Sequence, residues 1–323
     1  MSLTPVPDSR RAATRAWRWL ARALAGAALA LPAAGHAQAT YTPAPAHPAA
    51  SFAVQGGMPE GAPGPVSTPN GLVLMPDGRL MAPEFARIAS RGELVIAVLK
   101  VDQPPFFQER NGELSGLDID LARELARKLN VRVRFNRDAT TFDGVVKLLA
   151  QGQADVAISK LSRTLPRMQI ISFSTPYLRL NRALLLNRVK FAQMARGRPV
   201  PEVIRAYDSS IGVVGNSSYS EYVVNNFPKA YVTAYPTWDE ALKALNDGRV
   251  AAVYRDEFEV KRVLKADPTA ALRLRVVTLQ DLEDTLGIAV NVSAPALLGF
   301  VNQFLAERPK RLEVADVLQA ATR

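Results

Sequence analysis

From residue 93 onward, apolar and polar positions follow two rhythms that take turns along the chain. Glu93-Leu-Val-Ile-Ala-Val-Leu99 is a nearly unbroken apolar run, short enough for a buried strand. Leu117, Leu121, Leu125 and Leu129 then recur at four-residue spacing with Arg and Lys between them, which predicts an amphipathic helix over 117–129. Val131 to Phe135 alternates as a strand does, Phe142 to Ala150 is helical, and Ala154 to Ile158 reads as a buried strand. The rhythm resumes with a strand at Ile211 to Gly215, a helix from Asn216, and a strand at Tyr231 to Tyr235. A helix at Trp238 to Leu245, a strand at Val250 to Tyr254 and a helix at Glu257 to Ala266 follow. After Leu286 to Val290 the chain ends in two predicted helices, Pro295 to Ala306 and Lys310 to Ala321. Such alternation predicts an α/β architecture with parallel-type sheets covered by helices on both faces.

Upstream of residue 86 neither rhythm holds. Residues 1–39 read as an export signal: Arg10, Arg11, Arg15, Arg18 and Arg22, then apolar Ala23 to Leu31, then Ala37-Gln-Ala39 as a cleavage site. The apolar run between Arg22 and Pro32 is far short of the roughly 20 residues that a membrane-spanning helix needs. Residues 40–85 are rich in Pro, Ala and Gly and read as a flexible tether, because they offer little side chain to bury against their ordering entropy. Within it, Leu72-Val-Leu-Met75, closed by Pro76-Asp-Gly78, has the pattern of an edge strand or hairpin.

Composition narrows the chemistry. A chain of 323 residues, 48% of them hydrophobic, can bury the cores of two compact lobes. It has no cysteine, and its two histidines, His36 and His47, precede the patterned region. Disulfides, a thiol nucleophile, a lipid-bearing cysteine and a histidine-based metal site in the folded body are thereby excluded. The signal holds four of the ten net positive charges, leaving +6, and Lys and Arg are scattered rather than bunched among aromatics. Nucleic acid is therefore not an expected partner. A mild attraction for anions is what the balance implies.

Gln103-Pro-Pro-Phe106 runs into Gly116-Leu-Asp-Ile-Asp-Leu-Ala122, followed by Phe142-Asp-Gly144, Gly152-Gln-Ala-Asp-Val-Ala-Ile-Ser159 and Thr164-Leu-Pro-Arg167. This series resembles the amino-acid-binding family of bacterial extracellular solute receptors, the proteins that feed ABC importers. The resemblance implies a two-lobed periplasmic-binding-protein fold (type II-like), two α/β lobes joined by two crossing strands at 183–186 and 286–290. Lobe one would comprise 86–187 plus 285–323, and lobe two 188–284. It also implies residence in the periplasm, an amino-acid ligand, an ABC permease in the inner membrane as partner, and no catalytic residue, cofactor or metal.

Holding a zwitterion requires a guanidinium and hydroxyl or backbone donors for its carboxylate, and a carboxylate with neutral oxygens for its ammonium. By the resemblance Arg167 grips the carboxylate, with Ser162 upstream and Ser159 where the strand enters the site. Thr-Leu-Pro-Arg stands where the family usually has Thr-Pro-Glu-Arg, and a first-turn proline is tolerated because that N–H lacks an intrahelical acceptor. Ser217 and Ser218 either bind the same carboxylate at a helix N-terminus or, with Ser218 and Glu221 forming a capping box, only close the helix. Asp256 matches the acid that pairs with the α-ammonium; the alternative is a surface loop aspartate. Phe142 is expected as a wall of the pocket. Lys100, Gln103 and Lys160 stand where many relatives have an acid, an aromatic and a small residue. The two lysines either favour a polar or acidic ligand over a cationic one, or turn to solvent and local acids such as Asp102. Two further classes stay open: a periplasmic cyclohexadienyl (arogenate) dehydratase-like enzyme on this scaffold, and a non-transport sensor or accessory protein.

Overall fold

The computed structural model describes residues 64–308 and 312–320. The expected export signal and the first part of the tether, 40–63, lie outside the described residues.

Two five-stranded sheets organise the chain from Glu93 onward. In the first, the strands run in the order Arg132–Asn136, Glu93–Ala97, Val156–Ala157, Ala289–Asn291, Ile171–Phe173. The first three are parallel and the last two join antiparallel. In the second, the order is Tyr231–Tyr235, Ser210–Val214, Ala252–Asp256, Leu178–Asn187, Leu274–Leu286. Here too three parallel strands are flanked by an antiparallel pair. Helices lie in the connections, so the inner parallel strands are buried on both faces and read as apolar runs, while the edge strands Arg132–Asn136 and Tyr231–Tyr235 stay partly to largely exposed. Glu93–Ala97 is buried throughout after its first residue.

The crossings lie elsewhere than at 183–186. The chain leaves the first sheet after Phe173, enters the second at Leu178, leaves it after Leu286 and rejoins the first at Ala289. Ala183 to Leu186 is the middle of an interior strand: Leu184 and Leu186 face one core of the second sheet, Ala183 and Leu185 the other. An apolar run buried on two faces belongs inside a sheet, not at a hinge. The true crossings are cross-braced, with the Ser174 N–H donating to the Ile288 carbonyl (2.8 Å) and the Ile288 N–H to Ser174 Oγ (3.0 Å). The long strand Leu274–Leu286 was not anticipated, because its polar residues Gln280, Asp281 and Glu283 obscure the alternation.

Part of the expected tether is folded. Val66–Ser67, Val73–Leu74 and Leu80–Met81 form a small antiparallel sheet, and Pro83–Arg91 is a helix. Glu84 in that helix is buried and accepts the N–H groups of Ala296 (2.9 Å) and Leu297 (3.3 Å). It thereby caps the helix Pro295–Ala306, whose own N-cap residue, Ala294, supplies no side-chain bond. The segment is held by this long-range polar contact, which composition could not show.

Helix Leu117–Lys128 also lacks a side-chain cap; its first N–H groups go to the carbonyls of Pro105 (3.0 Å) and Phe106 (2.9 Å). Gly116 permits that approach, with φ +123° and a Cβ position only 2.5 Å from the Phe106 oxygen. Gly116→Ala is expected to cost about 2–3 kcal/mol from backbone strain alone. Equilibrium urea unfolding measures it, and an unchanged midpoint would show that the backbone at 116 relaxes out of this conformation without cost. Among the described residues no helix is long and apolar enough to cross a membrane.

Candidate functional site

Loops at the strand ends of both sheets meet in one cleft. From the first lobe come the loop after Glu93–Ala97, the N-terminus of helix Phe142–Ala150, and the segment Ser159 to Arg167 that follows strand Val156–Ala157. From the second come the start of helix Ser218–Asn226, the end of strand Ala252–Asp256 and the end of strand Leu274–Leu286. Each parallel strand in such a sheet delivers its following loop to the same edge, which is why the polar residues converge.

At the centre, Lys160 takes the place expected for a ligand ammonium. Its Nζ lies 3.0 Å from Asp256 Oδ2 and 2.8 Å from Glu259 Oε1, and all three side chains are almost wholly buried. The ammonium also sits 4.9 Å from the centre of the Phe106 ring. Lys160 adopts a left-handed backbone conformation (φ +48°), and its N–H donates to Asp118 Oδ2 at 2.6 Å. Such a conformation costs a non-glycine residue about 1–3 kcal/mol and persists where the surroundings enforce it. Burial pushes the Glu259 carboxyl up, but the charges of Lys160, Arg262 and Arg255 together outweigh it and hold it at about 2. Asp256 also accepts the Glu259 N–H (3.0 Å), so it is both helix cap and ion-pair partner.

The other pole of the expected zwitterion has an internal counterpart as well. Ser162 Oγ donates to Asp284 Oδ2 at 3.0 Å, Tyr219 Oη donates to the same oxygen at 3.0 Å, and Tyr222 Oη reaches Oδ1 at 3.4 Å. Ser218 Oγ donates across the cleft to Ser162 Oγ at 2.9 Å. Burial, and then the neighbouring charge of Asp256, raise the Asp284 carboxyl above its ordinary value. The inner cavity left between these groups is about 10 Å3, and Phe142, Lys160, Ser162, Ser218, Arg255 and Asp284 are among its lining residues. That is about the space of one water.

The remaining candidates divide. Arg167 is buried beside the cleft, as Thr164 caps its short helix, but its guanidinium is engaged by the Ser162 carbonyl (3.0 Å) and Asp143 Oδ1 (2.8 Å). Ser159 Oγ accepts the Leu99 N–H at 2.9 Å and serves its own lobe. Ser217 is the N-cap of helix Ser218–Asn226, and the capping box pairs it with Ser220 rather than pairing Ser218 with Glu221. That shift by one residue frees the Ser218 hydroxyl for the cleft. Phe142 lines the inner cavity and an outer one of about 320 Å3, and Gln103 lines the outer. Lys100 is exposed and lines neither; its neighbours are Asp102, Glu109, Arg137 and Asp138.

Glu259, Asp284, Tyr219 and Arg255 were not anticipated. Arg255 adjoins Asp256 in sequence, is 4% exposed, and reaches Gln103 Oε1 of the opposite lobe at 3.2 Å. An arginine at the buried end of an apolar strand was the available signal for it.

Two α/β lobes with charged side chains meeting across a cleft define a two-lobed binding protein of the periplasmic-receptor class. Residues 94–319 match the model of the bacterial extracellular solute-binding proteins, family 3. The chain belongs to that family. It is 28% identical over 222 residues to "ABC transporter arginine-binding protein 1" of Escherichia coli, covering 68% of this chain and 86% of that protein. It is 29% identical over 183 residues to the octopine-binding periplasmic protein of Rhizobium meliloti, covering 51% of this chain and 62% of that one. Among solved structures, an ancestral amino acid-binding protein described as a precursor of cyclohexadienyl dehydratase superposes with a TM-score of 0.60 at 27% identity. That match covers 74% of this chain and 99% of the other. An arginine-bound ArgBP variant from T. maritima gives 0.56 at 27% identity, covering 69% and 99%.

Proposed function

We propose that this chain is an exported receptor that closes its two lobes on a small carboxylate-bearing solute of amino-acid size and presents it to an ABC permease. One observation carries the reading: ionic and hydroxyl groups from both lobes, Lys160 against Asp256 and Glu259, Ser162 against Ser218, face each other across one cleft. Relatives named as binding arginine and octopine support the class of solute. An outer cavity of about 320 Å3 supports its size, since small-molecule sites typically start near 300 Å3. The export signal expected at 1–39 supports residence in the periplasm.

The preference for an acidic side chain, argued from two lysines, loses its footing. Lys100 lines neither the inner nor the outer cavity and Lys160 is neutralised by two carboxylates, so neither lysine offers an unpaired positive charge to repel a cation. Thermal-shift screening of amino acids and related acids tests the receptor reading, because a ligand of the native state raises the melting temperature. Solution scattering of the stabilising solutes then reads lobe closure. A protein indifferent to every small acid in the panel would favour a sensor or accessory role.

A dehydratase-like reading draws on Asp284, an acid with a raised pKa lining the inner cavity. Its three hydroxyl partners already occupy it, so a proton-transfer role requires them to yield. Incubation with prephenate and chromatography of the products tests it.

A further inference from the structure

The receptor reading leaves the chemical class of solute open, and the cleft narrows it. We infer that this receptor takes small carboxylates lacking an α-ammonium group, held in the outer cavity with the carboxylate at Arg255. The inference rests on the receptor reading above.

Lys160 excludes the ammonium. An incoming α-ammonium would have to displace a tethered one that already meets Asp256 and Glu259 at 3.0 and 2.8 Å. A tethered group competes at a high effective concentration, with no loss of translational freedom on binding. The carboxylate of Asp284 similarly engages Ser162 and Tyr219. With its inner cavity near 10 Å3, the centre of the cleft is filled by the chain's own ions.

Next to it, the outer cavity of about 320 Å3 is lined from both lobes, by Gln103, Thr141 and Phe142 on one side and Thr237, Trp238 and Arg255 on the other. Among the described residues, four buried side-chain nitrogens make no hydrogen bond, and two of them, Arg255 Nε and Trp238 Nε1, belong to residues of this lining; Arg255 Nε lies 3.7 Å from Asp256 Oδ2, too far for a hydrogen bond. Both are donors and neither can accept, so an acceptor-rich ligand satisfies them. Arg255 is 4% exposed, and a donor so buried is costly to leave unmade. Two helices, Phe142–Ala150 and Trp238–Asn246, also begin at this cavity, one from each lobe, and their N-termini favour negative charge. The acids on the wall are balanced: Asp102 pairs with Arg137, and Glu259 with Lys160 and Arg262. Asp239, also on the wall, is exposed to solvent.

The test uses matched acids that differ at one carbon: pyruvate and lactate against alanine, and 2-oxoglutarate and 2-hydroxyglutarate against glutamate, by thermal shift and calorimetry on the full-length protein. The oxo or hydroxy member of at least one set is expected to bind at least about tenfold more tightly than its amino counterpart, and Arg255→Gln to lose at least about tenfold of that affinity. Lys160→Met, which removes the internal ammonium, is expected to gain affinity for the amino acid. Equal or tighter binding of the amino members by the wild-type protein overturns the inference while leaving the receptor reading intact. Binding of the amino-free acids that Arg255→Gln leaves unchanged overturns the placement at the outer cavity. No response to any of these acids or to the common amino acids overturns the receptor reading together with the inference.

Discussion

Replacing Lys160 with alanine is expected to lower stability by about 3–5 kcal/mol, the usual cost of removing one partner from a buried ion pair. The loss is large because of what remains. Asp256 and Glu259 are each about 2% exposed, and without the ammonium two buried carboxylates of the second lobe are left side by side without their shared partner. Arg255, 3.7 Å from Asp256, and Arg262, 2.8 Å from Glu259, offset part of that repulsion but sit to the side. Replacing the interacting groups together is cheaper than breaking one, so the Lys160→Met, Glu259→Gln double variant should recover much of what Lys160→Met alone loses. Urea unfolding of Lys160→Met, Glu259→Gln and the double variant measures the coupling. Strict additivity would show that the two side chains do not interact in solution, and would place the Lys160 ammonium elsewhere than in this cleft. Because the pair joins opposite lobes, Lys160→Ala should also increase the radius of gyration in solution scattering.

The sequence carried the strand and helix rhythm well where an element buries one or two full faces. Helices Phe142–Ala150, Glu257–Ala266 and Pro295–Ala306 begin and end where their patterns do, since Thr141, Asp256 and an N-terminal proline mark their starts. The rhythm failed where polar residues sit in a strand, as in Leu274–Leu286, and where an interior strand looked like a hinge. In the cleft, single residues were legible by their motifs: Ser162, Ser218 and Asp256 do meet there. Their partners were not. Lys160 and Glu259 are separated by 99 residues and Ser162 and Asp284 by 122, distances over which no local pattern signals contact. Asp256 illustrates the ambiguity, because the same carboxylate caps a helix and pairs with a lysine, and either role alone explains an aspartate at that position. Arg167 lies where its motif puts it, in the first turn after Thr164, but its contact with Asp143, in the first turn of another helix, had no local signal.

Between about pH 4 and pH 7 this protein is expected to lose stability as pH rises, and Asp118 is the reason. Its carboxyl is fully buried at the start of helix Leu117–Lys128, and burial raises its pKa from 3.8 to about 7, despite the Lys160 N–H and the Tyr177 hydroxyl that favour the ion. The folded value lies above the unfolded one, so its contribution is complete below 3.8 and is lost as pH climbs through about 7. A shift of that size corresponds to a change on the order of 4 kcal/mol. Glu259 works in the opposite sense: held at about 2, it contributes fully above 4.5 and loses its contribution as pH falls toward 2. The urea midpoint should therefore pass through a maximum near pH 4–5, with Asp118 and the likewise raised Asp284 on the neutral side and Glu259 on the acid side. An asparagine side chain cannot ionise, so Asp118→Asn should leave the acid limb in place, make the neutral limb shallower, and be the more stable protein at about pH 8. A wild-type protein that outlasts Asp118→Asn at neutral pH would show that the folded chain holds this carboxylate ionised. The two hydrogen bonds, from the Lys160 N–H at 2.6 Å and the Tyr177 hydroxyl at 3.0 Å, would then outweigh its burial, and the helix start at Gly116 would be the place where that charge is stabilised.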